Sequence, residues 1–294
     1  MLSARVGFIG FGEVASTFSK AMVERGARVA AYDILLKQDR GLEILQKRAR
    51  IEGIQFCSFP DMVSSVDYVL STASTKVAKQ VAAECVSWLG PGQVYVDLNS
   101  TAPWVKIEIE GIIGPSGADF VEGAILGAVG TTGAATRILL GGSWGKEAAT
   151  TLTRLGLNVA HYSSEVGTAS MFKMLRSIFS EGLEALLLEL LIAGRRAGIE
   201  NDLWEEVTGL MTNNPFDRLA CNWVQTHAVA HERRYHEMLQ VAETMREIGV
   251  EPVMTAGTVA FFKRSLSLGL GDVFAEKPDS MAKVIGFMEQ RLKE

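Results

Sequence analysis

The stretch RVGFIGFGEVA, residues 5–15, decides how the chain is read. Arg5 to Gly10 make a short apolar run of the kind that forms a strand covered on both faces. Gly10-x-Gly12-x-x-Ala15 follows it directly and opens a helical stretch over 13–25. Each small residue has a physical purpose. Gly10 permits the tight turn, Gly12 lets a pyrophosphate approach the backbone, and Ala15 lets the helix pack close to the strand. The N–H groups around Phe11, Gly12, Glu13 and Val14, where the helix begins, face outward as ligands for anionic oxygens. A tight turn with no ligand is the competing account of the glycines. Against it stands a second strand, 28–33, which ends in Asp33 about 20 residues beyond Gly12, where a carboxylate can accept from a ribose 2′-hydroxyl and repel a 2′-phosphate. That favours NAD, with NADP left open because Lys37 and Arg40 lie just beyond.

Working outward, further strands are expected at 54–57, 67–72, 94–99, 119–126, 137–142 and 159–163, with helices near 39–50, 76–88, 103–112 and 145–155. Strand–helix alternation implies a parallel, doubly wound sheet. Residues 1–167 hold 20 of the 29 glycines and the remainder only nine, a shift that marks a turn-rich α/β half followed by a helical half. The second half opens on one long helix, 167–196, in which Met171, Leu175, Ile178, Leu183, Leu186 and Leu190 recur at steps of three to five residues. Further helices are expected at 203–211, 215–247 (with a possible break), 252–268 and 280–292, with Asn213-Asn214-Pro215 reading as a cap and a first-turn proline. The expected class is therefore α/β: a Rossmann domain over 1–164, a long interdomain helix, and an all-helical substrate and dimerisation domain over 165–294.

Composition narrows the function classes. The chain has 294 residues, 48% of them hydrophobic and 21% charged, enough apolar content for a sizeable core. A net charge of −5 supplies no basic excess for nucleic acid. Cys57, Cys85 and Cys221 lie far apart with no CxxC pair, which argues against a disulfide framework and against a zinc site. The most apolar run, 183–194, is too short for a membrane span and carries Glu184 and Glu189. Structured-looking sequence begins at Arg5, so no signal peptide is expected. A cytoplasmic protein handling a small molecule, with no metal, no nucleic acid and no membrane as partner, is the expectation.

Two loops follow the fourth and fifth strands, on the carboxyl edge where open α/β sheets bind ligands. The first carries Ser71, Thr72 and Ala73; the second carries Asn99, Ser100 and Thr101. Their polar groups suit a nicotinamide carboxamide or a substrate, and they equally suit capping of the helix that starts at Pro103. On the long helix, Lys173, Ser177, Ser180 and Glu184 share one face. A lysine in a partly dry cleft gives up its proton more readily and can exchange it with a carbinol oxygen. A solvated lysine snorkelling along the helix is the alternative. His227, His231 and His236 read as a solvated helix face with no acidic general-base motif beside them. Arg233 and Arg234 could clamp an anionic substrate, with Arg176, Asn213, Asn214 and Arg218 as lesser candidates.

Taken together, GFIGFGEVA, DLNSTAP (97–103), FVEGAILGAVG (120–130) and GTASMFKMLRS (167–177) resemble, in that order, the β-hydroxyacid dehydrogenase superfamily, which includes 3-hydroxyisobutyrate and 6-phosphogluconate dehydrogenases. Residues 231–252 also resemble a subgroup with an uncharacterised helical C-terminal domain. The resemblance implies hydride transfer between NAD(P) and a 3-hydroxy acid or its oxo form, in a homodimer. It places the catalytic lysine at Lys173, with Ser100 and Ser177 beside it, and substrate contacts at Leu126, Gly127, Ala128, Lys173 and, with the clamp above, Arg233. Three positions depart from the family's pattern: Ala169 stands for glycine, Ser177 for asparagine and Leu126 for serine. Gly123-Ala124-Ile125 resembles the matching stretch of imine reductases in the same superfamily, which usually lack the lysine. C=N reduction and a non-catalytic dinucleotide-binding module are thus the rival readings.

Overall fold

The computed structural model describes residues 4–293. In chain order the first part comprises β1 (Arg5–Ile9), α1 (Glu13–Glu24), β2 (Arg28–Tyr32), α2 (Gly41–Ala49), β3 (Ile54–Phe56), α3 (Phe59–Ser65), β4 (Tyr68–Ser71), α4 (Ala78–Cys85), β5 (Val94–Asp97), α5 (Pro103–Ile113), β6 (Asp119–Leu126), α6 (Val129–Thr132), β7 (Arg137–Gly141), α7 (Gly145–Arg154) and β8 (Val159–Ser163). The second part comprises α8 (Thr168–Ala197), α9 (Glu200–Asn213), α10 (Phe216–Glu247), α11 (Val253–Ser267), α12 (Leu270–Val273) and α13 (Met281–Arg291). The eight strands form one sheet in the order β3-β2-β1-β4-β5-β6-β7-β8. The order reverses beside β1 and β4, which opens the crevice where doubly wound folds bind ligands. The α/β class and the helical second part are those expected from the sequence.

The strands are buried because each face of the sheet carries helices. One core layer joins Phe8, Leu70, Val96 and Ile138 to Phe18 and Met22 of α1, Leu45 of α2 and Leu152 of α7. The opposite layer joins Val69, Tyr95 and Phe120 to Met62 of α3, Ala82 of α4 and Ile109 of α5. One expectation fails: the sheet is not wholly parallel. β6 and β7 pair antiparallel, Glu122 opposite Gly141 and Leu126 opposite Arg137. Residues 127–136 between them hold only α6 and a 3-10 turn, too little chain for a crossover helix, so the connection folds back as a hairpin. Helix α3 is absent from the sequence reading because seven residues show no helical period; its start is set by Ser58, whose Oγ accepts from Asp61 N at 3.3 Å, with Pro60 in the first turn.

The chain divides into two compact units within α8, after Ile178. In the helical unit α10 runs unbroken for 32 residues. The expected Asn-Asn-Pro cap is corrected: Asn214 Nδ2 donates back to Leu210 O at 2.9 Å and closes α9, while Pro215 precedes the first turn of α10. His227 and His231 are corrected too. Both are buried, because their face of α10 lies under α11, where Phe262 and Ser265 meet His227. Only His236 of the three is solvated. Among the described residues, no helix is long and apolar enough to cross a membrane.

Candidate functional site

The carboxyl ends of β1, β4, β5 and β6 converge on a cavity of about 420 Å³ in the first unit. Four segments line it: Glu13 and Val14 at the start of α1, Thr72–Thr75 after β4, Leu98–Ser100 after β5, and Gly127–Val129 after β6. Ile125 of β6 and Lys173 of α8 complete the lining. A larger apolar cavity, about 600 Å³, lies in the helical unit beside His227. The choice between them rests on convergent polar groups, which the first has and the second mostly lacks.

The glycine turn is built tightly. Gly10 has φ +82°, and a Cβ there would meet Thr72 O at 2.8 Å. Thr72 Oγ1 donates to Gly10 O at 2.8 Å and locks the turn to the end of β4. Phe11 points inward, fully buried against Phe56 with ring centroids 4.9 Å apart, so it contributes backbone and not side chain to the turn. A Cβ on Gly12 would meet nothing within 4 Å, and no side chain caps α1 there. Open space and uncapped N–H groups at a helix N-terminus are what a pyrophosphate needs. Half-buried Asp33 is held in place: Oδ2 accepts from Phe11 N at 2.7 Å and Oδ1 from Leu35 N at 2.9 Å.

On the other side of the cavity, Asn99 is buried and its Nδ2 donates to Ser71 Oγ at 2.9 Å. Ser71 therefore positions Asn99 and does not itself line the cavity. Asn99 Oδ1 is a buried acceptor with no partner. An amide N–H₂, as on a nicotinamide carboxamide, would satisfy it. Uncapped helix start, open glycine, anchored carboxylate and orphaned amide oxygen together fit a dinucleotide laid across the sheet edge. Asn99, Ser100 and Thr101 do not cap α5, whose N-cap is Ala102 with no side-chain bond.

Ser100 and Lys173 meet, the ammonium donating to Ser100 Oγ. Lys173 is half-buried and Ser100 exposed to the cavity. Gly127 and Ala128 line the cavity, whereas Leu126 packs with Ala124, Leu139 and Ala169. Arg233 belongs to the helical unit, where it is exposed and ion-paired with Glu237 one turn on. The sequence reading missed a buried group beneath the site: Lys106, Asp97 and Glu122, all fully buried. A signal for it existed. Lys106 falls on the apolar period Pro103, Ile109, Ile113 of α5, where a lysine breaks the pattern.

This fold and crevice define a dinucleotide-binding α/β protein. Residues 5–163 match the family described as the NAD binding domain of 6-phosphogluconate dehydrogenase, and residues 195–265 match a domain of unknown function, DUF1932. The chain belongs to the 6-phosphogluconate dehydrogenase type of NAD-binding protein, within the β-hydroxyacid dehydrogenase superfamily, and is an NAD(P)-dependent oxidoreductase. It is 33% identical to a conserved protein of unknown function described as structurally similar to 3-hydroxyacid dehydrogenases (88% of this chain and 96% of that one, TM-score 0.60). It is 22% identical to the 2-(hydroxymethyl)glutarate dehydrogenase of Eubacterium barkeri (98% of this chain, 96% of the relative). An imine reductase from Myxococcus stipitatus, a variant in complex with NAD+, shares the fold at 19% identity, with a TM-score of 0.75 over 98% of this chain and 100% of that one.

Proposed function

We propose that the chain interconverts a small, anionic 3-hydroxy acid-like substrate and its oxo form, with Lys173 as the general acid–base. The observation that carries this reading is the hydrogen bond between Lys173 and Ser100 at the wall of the cavity that Asn99 also lines. Bound NAD(P) supplies or receives the hydride. The chain's own residues do the rest. Asn99 orients the carboxamide, the Gly10–Val14 turn anchors the pyrophosphate, and Lys173 takes the carbinol proton or returns it to the carbonyl oxygen. Ser100 holds the lysine at the reacting oxygen and passes a hydrogen bond to it. Ser177 lies one turn beyond Lys173 on the same face of α8 and takes the place beside the substrate; Gly127 and Ala128 give it a close backbone wall, next to Leu126.

Purified protein assayed with both cofactors on panels of 3-hydroxy acids, their oxo forms and cyclic imines tests the assignment. Turnover confined to imines would overturn it. A specific feature keeps imine reduction as the second reading: Leu126 gives an apolar side chain where the hydroxyacid enzymes place a serine, and it packs into an apolar cluster.

NAD is the preferred cofactor in this reading. The Asp33 carboxylate is anchored where a 2′-phosphate would arrive, Arg40 is engaged with Glu43 at 3.0 Å, and Arg48 Nη1 is engaged with Phe11 O at 2.8 Å. A repulsion of about 1.4 kcal/mol gives a tenfold preference. Fluorescence titration should find NADH about tenfold tighter than NADPH, and Asp33→Ser should erase that ratio. A tighter NADPH constant in the unmodified protein points to Lys37 and Arg40 instead.

The protein is also expected to be a homodimer. On α8, Met171, Leu175, Ile178, Phe179, Leu188 and Ile192 are each more than 40% exposed, a long apolar face that a second copy would cover. Light scattering should give about twice 31.9 kDa; a monomer at micromolar concentration refutes it.

A further inference from the structure

The two partners of the Lys173–Ser100 hydrogen bond come from different elements, and one buried charge cluster grips both. Lys106 sits on α5 with its side chain fully buried. Its ammonium donates to Asp97 O at 2.9 Å, to Asn99 O at 2.7 Å and to Asp97 Oδ1 at 3.1 Å. All three of its protons are used. Two of the acceptors are backbone carbonyls of the turn that delivers Ser100, and Asp97 Oδ1 also accepts from Asn99 N at 2.8 Å. The turn is thus fixed from below at two carbonyls and one amide.

Glu122 stands opposite Asp97 in the β5–β6 register. It is fully buried, and its carboxylate accepts from Ala169 N at 2.9 Å, Ser170 N at 3.3 Å and Ser170 Oγ at 2.6 Å. These are the first N–H groups of α8, otherwise orphaned. Lys173 follows one turn later on the same face. Gly141 leaves the space Glu122 needs, since a Cβ there would lie 2.4 Å from Glu122 Oε1. Burial weakens the ammonium of Lys106, while Asp97 and Glu122 both favour it electrostatically. Burying such ions is expensive, and an apolar side chain at 106 would extend the face made by Pro103, Ile109 and Ile113. The charge is spent directly under the Asp97–Ser100 turn, next to the cap of the helix that carries Lys173.

We propose that Lys106 and Glu122 are positioning residues that set the separation and orientation of Ser100 and Lys173, Lys106 by fixing the Asp97–Ser100 turn and Glu122 by fixing the first turn of α8. The part of this proposal that concerns turnover rests on the acid–base reading of Lys173; the part that concerns geometry does not. The test uses Lys106→Met, Lys106→Gln and Glu122→Gln in the full-length protein, with Ser100→Ala as the reference for a broken Lys173–Ser100 bond. The first readout is the rate at which Lys173 reacts with an amine-selective reagent, followed across pH by mass spectrometry and normalised to exposed lysines such as Lys146. Loss of positioning should move the Lys173 profile in the same direction as Ser100→Ala, with a rate change of about threefold or more, and leave Lys146 unchanged. The second readout is kinetic. kcat should fall by about 10–100-fold with KM nearly unchanged, because misplacement near 1 Å is felt in the chemical step; NADH affinity should stay nearly unchanged in Glu122→Gln, whereas the Lys106 variants also loosen Asn99 and should weaken it. Lys106→Gln, which retains two donors for the carbonyls, should recover part of both effects. If the variants are merely less stable, with Lys173 reactivity and kcat per folded molecule unchanged, the cluster is structural and the proposal is wrong. Should Lys106→Met fail to fold, Lys106→Gln and Glu122→Gln decide by the same two readouts. If Lys173 proves dispensable for turnover, the acid–base reading fails alone, and the labelling profile still decides whether the cluster positions Lys173.

Discussion

Lys173→Ala is expected to lower kcat by about 10²–10⁴-fold while NADH affinity stays within about threefold of the unmodified protein. The two effects separate because the two functions occupy different atoms. In the proposed site Gly10, Gly12 and the start of α1 cradle the pyrophosphate, and the ribose contact falls to Asp33, itself fixed by Phe11 N and Leu35 N. The proposed carboxamide contact is Asn99, which is held by Ser71. None of these depends on Lys173. What the substitution removes is the proton donor bonded to Ser100 Oγ at the cavity wall. Lys173→Met keeps the length and apolar stem and deletes only the charge, so it separates lost packing from lost proton transfer. Both variants should lose rate on the alcohol and carbonyl panel with KM little changed, the signature of an interaction made chiefly in the transition state. If both keep near-normal turnover while chemistry is rate-limiting, the proton passes through another group or through water.

The parts of the site legible in the sequence are those specified by local chain chemistry. The Gly10–Ala15 spacing sets a turn and a helix start within a few residues, and Asp33 is fixed by its place at the end of a strand. Strands β6 and β8 were readable to the residue because turns bound them on both sides. Lys173 stands out in the sequence because a polar stripe interrupts an apolar helix, and the structure puts it at the cavity wall beside Ser100. What was not legible depends on convergence from distant segments. Nothing local says that Asp97 and Glu122 face each other across β5 and β6, or that Glu122 reaches Ala169 and Ser170 almost fifty residues later. Lys106 could have been suspected from its place in the apolar period of α5, but its partners could not. The antiparallel β6–β7 pair was lost because alternation of strands and helices was carried across a connection too short for a helix. His227 and His231 were misread for a related reason: the charged neighbours on α10, Glu232, Arg233 and Glu237, suggest solvent, whereas the two histidines occupy the face turned to α11.

That burial has a measurable consequence, since the fold should weaken below neutral pH through His227. Its Nε2 lies 2.9 Å from Ser265 Oγ, and Ser265 Oγ donates to Phe261 O at 3.1 Å. The hydroxyl proton is used in that bond, so Ser265 accepts and neutral His227 carries its proton on Nε2. Phe261 and Phe262 crowd the ring with centroids at 6.0 and 5.3 Å, His231 follows one turn along α10, and Arg234 and Glu237 line the adjoining cavity. Burial first, then the charges of His231 and Arg234, push the pKa of His227 down to about 4, from an ordinary 6.5. The sign follows from which state binds the proton. Above 6.5 the ring is neutral in both states and the fold carries no penalty. Between 6.5 and about 4 the unfolded chain binds a proton that the folded chain does not, so stability is lost as pH falls through that window. The limit is about 1.4 kcal/mol per pH unit, and the expected loss between about pH 7 and pH 5 is about 1–2 kcal/mol. Urea melts across that range should show the decline in the unmodified protein. His227→Gln, which keeps a donor for Ser265 and cannot titrate, should flatten it, although its stability near neutrality will be lower through imperfect packing. Parallel pH curves for the two proteins would mean that His227 titrates normally in the fold and that the decline belongs to other groups.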